Sequence, residues 1–250
     1  MAGWLNKFFG KPAPREYADF QSLEVDFHSH LIPGIDDGAS TIEDSIALIR
    51  GLHQLGYRKL ITTPHVMSDY YKNTPEIILG GLEKVREAVR SEGLDVELEA
   101  AAEYYLDSEL EHMIQREPLL TFGDNHVLVE LSFMQPPHHF EETVFKLISA
   151  GYKPILAHPE RYSYYYRDIS VFEEMKDRGW LLQLNINSLT GHYSPQTRKV
   201  AEQMLERGYI DFLGSDCHHL NHIELMHKAL DNPALQKALG SGNIRNPLLR

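Results

Sequence analysis

VDFHSHLIPGIDDG, residues 25–38, ends a short apolar run with two histidines around one serine and adds two aspartates a few residues later. A single His-x-His is weak evidence for a metal site, because one histidine after a strand is more often structural. The reading of this stretch therefore turns on what the rest of the 250-residue chain supplies, and where.

Short β-type runs alternate with helical patterns from residue 24 onward. Strands are expected at EVDF (24–27), KLITT (59–63), VELEAA (96–101), HVLVELS (126–132), KPILA (153–157), WLLQLNI (180–186) and IDFLGS (210–215). Between them apolar residues recur three or four apart, as in Ile78, Leu82, Val85 and Val89, the period of an amphipathic helix. Ser40 and Glu43 have capping-box spacing, and Thr74-Pro75 and Ser194-Pro195 each set a cap residue before a first-turn proline. Gly56, Gly151, Gly179 and Gly208 fall where helix-stop glycines belong. Alternation of this length predicts a parallel sheet with crossover helices, either open or closed into a barrel.

Ligand-type residues decide between the two. His28 and His30 follow the first expected strand, with Asp37 in the loop beyond. His65 follows the second, Glu103 ends the third, Glu130 lies at the end of the fourth, and His158 follows the fifth; Asp216 and His218 follow the seventh. In a parallel barrel all C-terminal strand ends meet at one face, so residues remote in sequence converge there. An open sheet gathers ligands at one crevice and uses only some of its strands. Contributions from six of the seven strands favour an α/β, seven-stranded, TIM-like (β/α) barrel.

Carboxylates at apolar strand ends, as in LVELS and GSDCHH, need cations or hydrogen bonds to be tolerated. Five histidines and four carboxylates are too many for one ion, and two or three divalent ions sharing bridging carboxylates would use them all. Nitrogen and oxygen donors without thiolate suit manganese, iron, magnesium or zinc. Clustered metals suit phosphoryl hydrolysis, since they generate a hydroxide nucleophile and neutralise phosphate oxygens.

Composition narrows the function classes. A formal net charge of −12 argues against a nucleic-acid-binding surface, which needs a basic stripe. An anionic substrate would then need local positive charge, which metal ions provide. The single cysteine, Cys217, excludes an intramolecular disulfide framework and fits a reducing, cytoplasmic setting. Ile223 stands six places after it, so there is no Cys-x₅-Arg phosphate loop. No apolar run approaches the length of a membrane span. Trp4, Leu5, Phe8 and Phe9 suggest a short N-terminal amphipathic segment, either packed on the domain or touching a membrane or partner.

With these residues in hand, the chain resembles the PHP (polymerase and histidinol phosphatase) superfamily, and within it the bacterial PHP-type protein-tyrosine phosphatases of capsule and exopolysaccharide systems. DFHSHLIPGIDDG, TTPH, AAEYY, LVELSF, LAHPERY and GSDCHH carry the resemblance, in that order, over roughly residues 24–220. It implies an irregular seven-stranded barrel holding three metal ions, with manganese ranked first ahead of iron, magnesium or zinc. Carried over by motif, His28, His30, Glu103 and Asp216 would hold one ion, Glu103, Glu130 and His158 a second, and Asp37, His65 and His218 a third. Arg161, in HPERY, matches the arginine expected to hold the substrate phosphate, a task its planar donor fork suits. Asp37 is also a candidate proton donor to the leaving oxygen. The implied partner is a phosphotyrosine protein, a bacterial tyrosine kinase with a tyrosine-rich tail.

Residues 1–22 read as an N-terminal extension and 23–250 as one catalytic domain. Two alternatives stay open: phosphatase action on a small phosphomonoester such as histidinol phosphate, and a non-catalytic metal-containing regulator. RYSYYYRD (161–168) and SDYY (68–71) could form an aromatic rim for a phosphotyrosine ring or could be loop packing.

Overall fold

The structure, a computed structural model, describes residues 16–138 and 140–250; the aromatic N-terminal segment singled out above lies outside them. Its strands are β1 (Val25–Asp26), β2 (Lys59–Thr62), β3 (His65–Val66), β4 (Glu97–Ala100), β5 (Glu103–Tyr105), β6 (His126–Glu130), β7 (Lys153–Ala157), β8 (Leu181–Asn185) and β9 (Phe212–Gly214). Helices α1 (Ile42–Gln54), α2 (Pro75–Ser91), α3 (Ser108–Arg116), α4 (Phe140–Ser149), α5 (Val171–Asp177), α6 (Pro195–Glu206), α7 (Leu220–Ala229) and α8 (Pro233–Gly240) lie between and after them.

All strand pairings are parallel and fall into two sheets, β1-β2-β4 and β3-β5-β6-β7-β8-β9. The second and third expected strands are each broken in two, giving β2 with β3 and β4 with β5. Pro64 lies in the first break and has no N–H to continue the ladder towards Ala101 and Ala102. Hydrogen bonds nonetheless bridge the gap, from Ala101 N to Thr62 O (2.9 Å) and from Glu103 N to Pro64 O (3.0 Å). A parallel bridge between Ser29 and Cys217 joins the exit of β1 to that of β9, with His30 N to Cys217 O at 3.0 Å and Asp216 N to His28 O at 2.8 Å. The strand positions thus follow one another in chain order from β1 to β9 and meet again at their ligand-bearing ends.

Apolar side chains form two layers. One cluster, with Leu48, Leu52, Val85, Leu147, Phe172 and Met204, fills the space between strands and helices. A second, inner cluster takes Val25, Ile61, Leu128, Ile155 and Phe212 from the strands and is joined by Phe27, Phe122 and Leu249. An inward-facing set drawn from both sheets is what barrel-like curvature produces, and each such side chain stabilises by roughly 1.5–3 kcal/mol. The C-terminal segment anchors this end: buried Asn246 donates to Val25 O (2.9 Å) and Leu213 O (2.7 Å) and accepts from Leu213 N (3.0 Å).

Thr74 and Ser194 cap α2 and α6 as the sequence predicts. The cap of α1 falls one residue later than Ser40. Thr41 is the last extended residue, and its hydroxyl accepts from Asp44 N (3.2 Å) while Asp44 accepts from Thr41 N (3.1 Å). Part of the segment before residue 23 is integral to the fold, since Phe20 is fully buried and stacks on Tyr57 with ring centroids 5.8 Å apart.

Candidate metal centre

Strand ends bring all nine ligand-type residues into one contact network. Six of them form a closed circuit: His28 Nε2 to Glu103 Oε2 (3.3 Å), Glu103 Oε2 to His65 Nδ1 (3.2 Å), His65 Nε2 to Asp37 Oδ1 (3.5 Å), Asp37 Oδ1 to His218 Nε2 (3.3 Å), His218 Nδ1 to Asp216 Oδ1 (3.3 Å) and Asp216 Oδ1 to His28 Nε2 (3.4 Å). His30 joins it, with Nε2 at 3.5 Å from Asp216 and 3.6 Å from Glu103. His158 Nε2 reaches Glu103 Oε1 (3.2 Å) and Glu130 Oε1 (3.6 Å). The close groupings are His28, His30 and Asp216; His28, Glu103 and His158; His65, Glu103 and Glu130; and His30, Asp37, His65 and His218. They overlap more than the three sets implied by resemblance, because His28, His30 and His65, as well as Glu103, each belong to two.

The backbone is shaped for this convergence. His158 (φ +32°) and Asp216 (φ +47°) are left-handed, a conformation that costs a non-glycine residue about 1–3 kcal/mol and recurs at functional sites. Gly38 closes the IDDG turn against His30, where a Cβ would stand 2.3 Å from the His30 carbonyl oxygen. The signal was in the motif, but its cause, close backbone approach, becomes visible only in three dimensions.

A supporting layer was missed in the sequence. Gln183 Oε1 lies 2.8 Å from His28 Nδ1 and also accepts from His158 N (3.3 Å). Asp36 Oδ2 lies 2.7 Å from His30 Nδ1 and accepts from His65 N (3.1 Å). Asn185 Nδ2 donates to Asp216 Oδ2 (2.6 Å), and Ser215 donates to Asp26 from both its N–H and its hydroxyl. Such partners fix ring orientation and raise ligand basicity. Gln183 and Asn185 had a readable signal, being polar residues in the apolar strand LLQLN. Asp36 was overshadowed by its neighbour Asp37.

Electrostatics follow from burying these groups together. Burial opposes ionisation of Glu103 and Asp216, yet the neighbouring histidines, His28 foremost, hold both carboxyls well below the usual range. Burial pushes Glu130 well above it, and the charge of Glu103 adds to the rise. Burial lowers His158 to about 4, helped by the Arg161 charge. Asp37, hydrogen-bonded to His218, is held below its ordinary range.

Arg161 points at the same cluster. Its Nη1 donates to Asp216 Oδ2 at 3.1 Å, and its guanidinium lies between the rings of Phe133 (4.7 Å) and Tyr193 (4.2 Å). Arg161, Asp37, His65, Glu130, His158, Asp216 and His218 line one cavity of about 220 Å³ together with Met67, Tyr71 and Phe133. The two aromatic stretches part company here. Tyr71 lines the cavity, whereas Tyr162 is fully buried and Tyr164, Tyr165 and Tyr166 pack on the core. Cys217 is fully buried, and burial, with the nearby Asp26 charge, pushes its thiol well above the ordinary range, so it is no nucleophile.

Divalent cations fit this donor set. His28 Nε2, His30 Nε2, His65 Nδ1 and Glu103 Oε2 are buried and have no hydrogen-bond partner, and the three nitrogens lie 3.2–3.6 Å from that one oxygen. Converging unpartnered donors at a buried carboxylate are costly unless a cation completes them.

Fold and site together define a metal-binding α/β protein of the PHP type. The profile described as capsular polysaccharide synthesis, CpsB/CapC, matches residues 24–243, and the chain belongs to that family. It is 28% identical over 197 residues to the tyrosine-protein phosphatase YwqE of Bacillus subtilis, covering 78% of each chain. It is 25% identical over 203 residues to the tyrosine-protein phosphatase CpsB of Streptococcus pneumoniae, covering 79% of this chain and 84% of that one. A solved structure, from work on YwqE and CpsB as metal-dependent tyrosine phosphatases, superposes with a TM-score of 0.75 at 26% identity over 89% of this chain and 94% of that one.

Proposed function

We propose that this protein is a metal-dependent protein-tyrosine phosphatase, with His28, His30, Asp37, His65, Glu103, Glu130, His158, Asp216 and His218 holding two or three divalent ions, manganese first among them. The observation that carries this reading is one cavity lined by Arg161 together with Asp37, His65, Glu130, His158, Asp216 and His218, with His28, His30 and Glu103 grouped with them in the same cluster. Bound ions would supply an activated water and neutralise phosphate oxygens. The chain's own residues do the rest. Arg161 offers forked donors to the phosphate, held in place by Asp216 and by the two rings that sandwich it. Phe133 and Tyr71 give the cavity apolar wall surface, and Asp37, half exposed, stands beside His65 and His218.

Residues 23–250 act as one catalytic domain in this reading. The family's place in capsular polysaccharide synthesis supports a tyrosine kinase of that machinery as the phosphoprotein substrate. A cytoplasmic location follows from that partner; among the described residues no helix is long and apolar enough to cross a membrane. Phosphate release from a phosphotyrosine peptide, measured with chelator-stripped protein before and after adding Mn²⁺, tests the proposal. Activity should appear only with metal. Metal binding without release, alongside turnover of histidinol phosphate, would replace the assignment with a small-molecule phosphatase.

A further inference from the structure

Two aromatic rings stand one layer outside the ligand cluster, each stacked on a different histidine. Tyr71 lies over His65 with centroids 5.5 Å apart and planes 13° apart. Phe133 lies over His158 at 5.7 Å and 19°. Those histidines flank Glu103, His65 against Oε2 and His158 against Oε1, each at 3.2 Å. Both outer rings line the cavity that has Arg161 in its wall. Phe133 is 40% exposed, a large apolar surface left open beside charged groups, and Met134 next to it is 89% exposed.

We propose that Tyr71 and Phe133 form the two walls of a slot that receives the aromatic ring of the substrate, so that the site selects phosphotyrosine over phosphoserine and phosphothreonine. The inference rests on the tyrosine-phosphatase reading and adds the residues that set its specificity. A phosphate held by Arg161 and the ligand cluster lies at the inner end of the slot. In phosphotyrosine the ring spans the slot, offers a face or an edge to each wall and keeps the peptide main chain outside. In phosphoserine a single methylene joins phosphate to main chain, so the polar backbone itself would have to enter between Tyr71 and Phe133 and lose its water. Offset or edge-on ring contacts are worth a few-fold to about tenfold each beyond the area they bury.

A purely supporting role for the two rings, bracing His65, His158 and Arg161, makes a different prediction. Calorimetric titration of the Mn²⁺-loaded full chain with benzylphosphonate and ethylphosphonate separates the two without any leaving-group effect. The slot predicts that the unsubstituted protein prefers benzylphosphonate by roughly tenfold or more, and that Tyr71→Ala and Phe133→Leu each narrow that preference about three- to tenfold. Tyr71→Phe should keep it. Metal content per chain is measured alongside, and Tyr71→Leu replaces Tyr71→Ala if the latter loses metal. Equal affinity for the two phosphonates in the unsubstituted protein, or variants that weaken both ligands alike, would overturn the slot. If the unsubstituted protein hydrolyses phosphotyrosine peptide while binding both phosphonates equally, the slot fails alone; if it releases no phosphate from that peptide, the underlying reading fails instead.

Discussion

Gln183 Oε1 sits 2.8 Å from His28 Nδ1 and thereby fixes which ring nitrogen faces Glu103 and Asp216. The same oxygen accepts from the His158 backbone, so one side chain from β8 orients ligands from two other strands. Replacing Gln183 with leucine keeps the volume and removes the acceptor. Metal affinity should fall about 10- to 100-fold, the usual loss for such outer partners. Manganese titration of stripped protein would show this, and an unchanged affinity would mean that packing alone aims His28.

Gly38 contributes through what it lacks. With a Cβ at 2.3 Å from His30 O and 2.4 Å from His30 Cβ, Gly38→Ala must displace either the turn or the ligand. Overpacking of this kind costs about 1–3 kcal/mol, and the displacement falls on His30 directly. The expected result is a melting temperature lower by roughly 2–4 °C per kcal/mol together with weakened metal binding. A loss of stability with intact metal affinity would show that the turn, not His30, gives way.

Arg161 tests whether a positive charge suffices. Lysine in its place keeps the charge but loses the fork and the flat surface held between Phe133 and Tyr193. Arg161→Lys should therefore lower kcat/KM on a phosphotyrosine peptide by about 100-fold or more, the scale of losing a preorganised charged donor, with metal content preserved. Retention of most activity would assign phosphate binding to the metal ions alone.

Cys217 should be dispensable for chemistry. It is buried, its thiol is kept protonated, and it packs where β1 and β9 meet. Cys217→Ser is expected to keep activity within tenfold, with some loss of stability from the buried hydroxyl. Abolished turnover in a folded, metal-loaded Cys217→Ser protein would contradict a metal mechanism.

The legibility of this fold followed the physics of each element. Strand β7 and the caps of α2 and α6 were readable because local composition dictates them: an apolar run after a glycine, a hydroxyl before a proline. The breaks between β2 and β3 and between β4 and β5 were not, since the effect of Pro64 falls on a neighbouring strand as well as its own. The candidate ligand positions stood out because most of them interrupt or directly follow an apolar strand end with a group that burial penalises. Gln183 and Asp36 escaped for the opposite reason, because hydrogen bonding to His28 and His30 is a relation between distant segments. Phe133 carried no signal of its own beyond its place at the end of LVELSF; an aromatic residue in a loop becomes informative only once it is seen stacked on His158 and Arg161.

Metal removal should destabilise the protein measurably. Glu103 and Asp216 are buried and ionised, Glu130 is buried beside them, and the unpartnered nitrogens of His28, His30 and His65 face Glu103. A cation that completes these groups binds the folded chain and has no comparable site in the unfolded one. At a free concentration 100 times the dissociation constant, one such ion stabilises by about 2.7 kcal/mol. For a chain of this size that corresponds to a rise of roughly 5–10 °C in melting temperature per tightly bound ion. Thermal unfolding of stripped protein across a Mn²⁺ series should show that rise, and Glu103→Gln should abolish most of it, because Glu103 belongs to two of the overlapping ligand groups. A melting temperature indifferent to Mn²⁺, Fe²⁺ and Zn²⁺ alike would mean that the cluster is held together by its own ion pairs, and the metal-centre reading would fall with it.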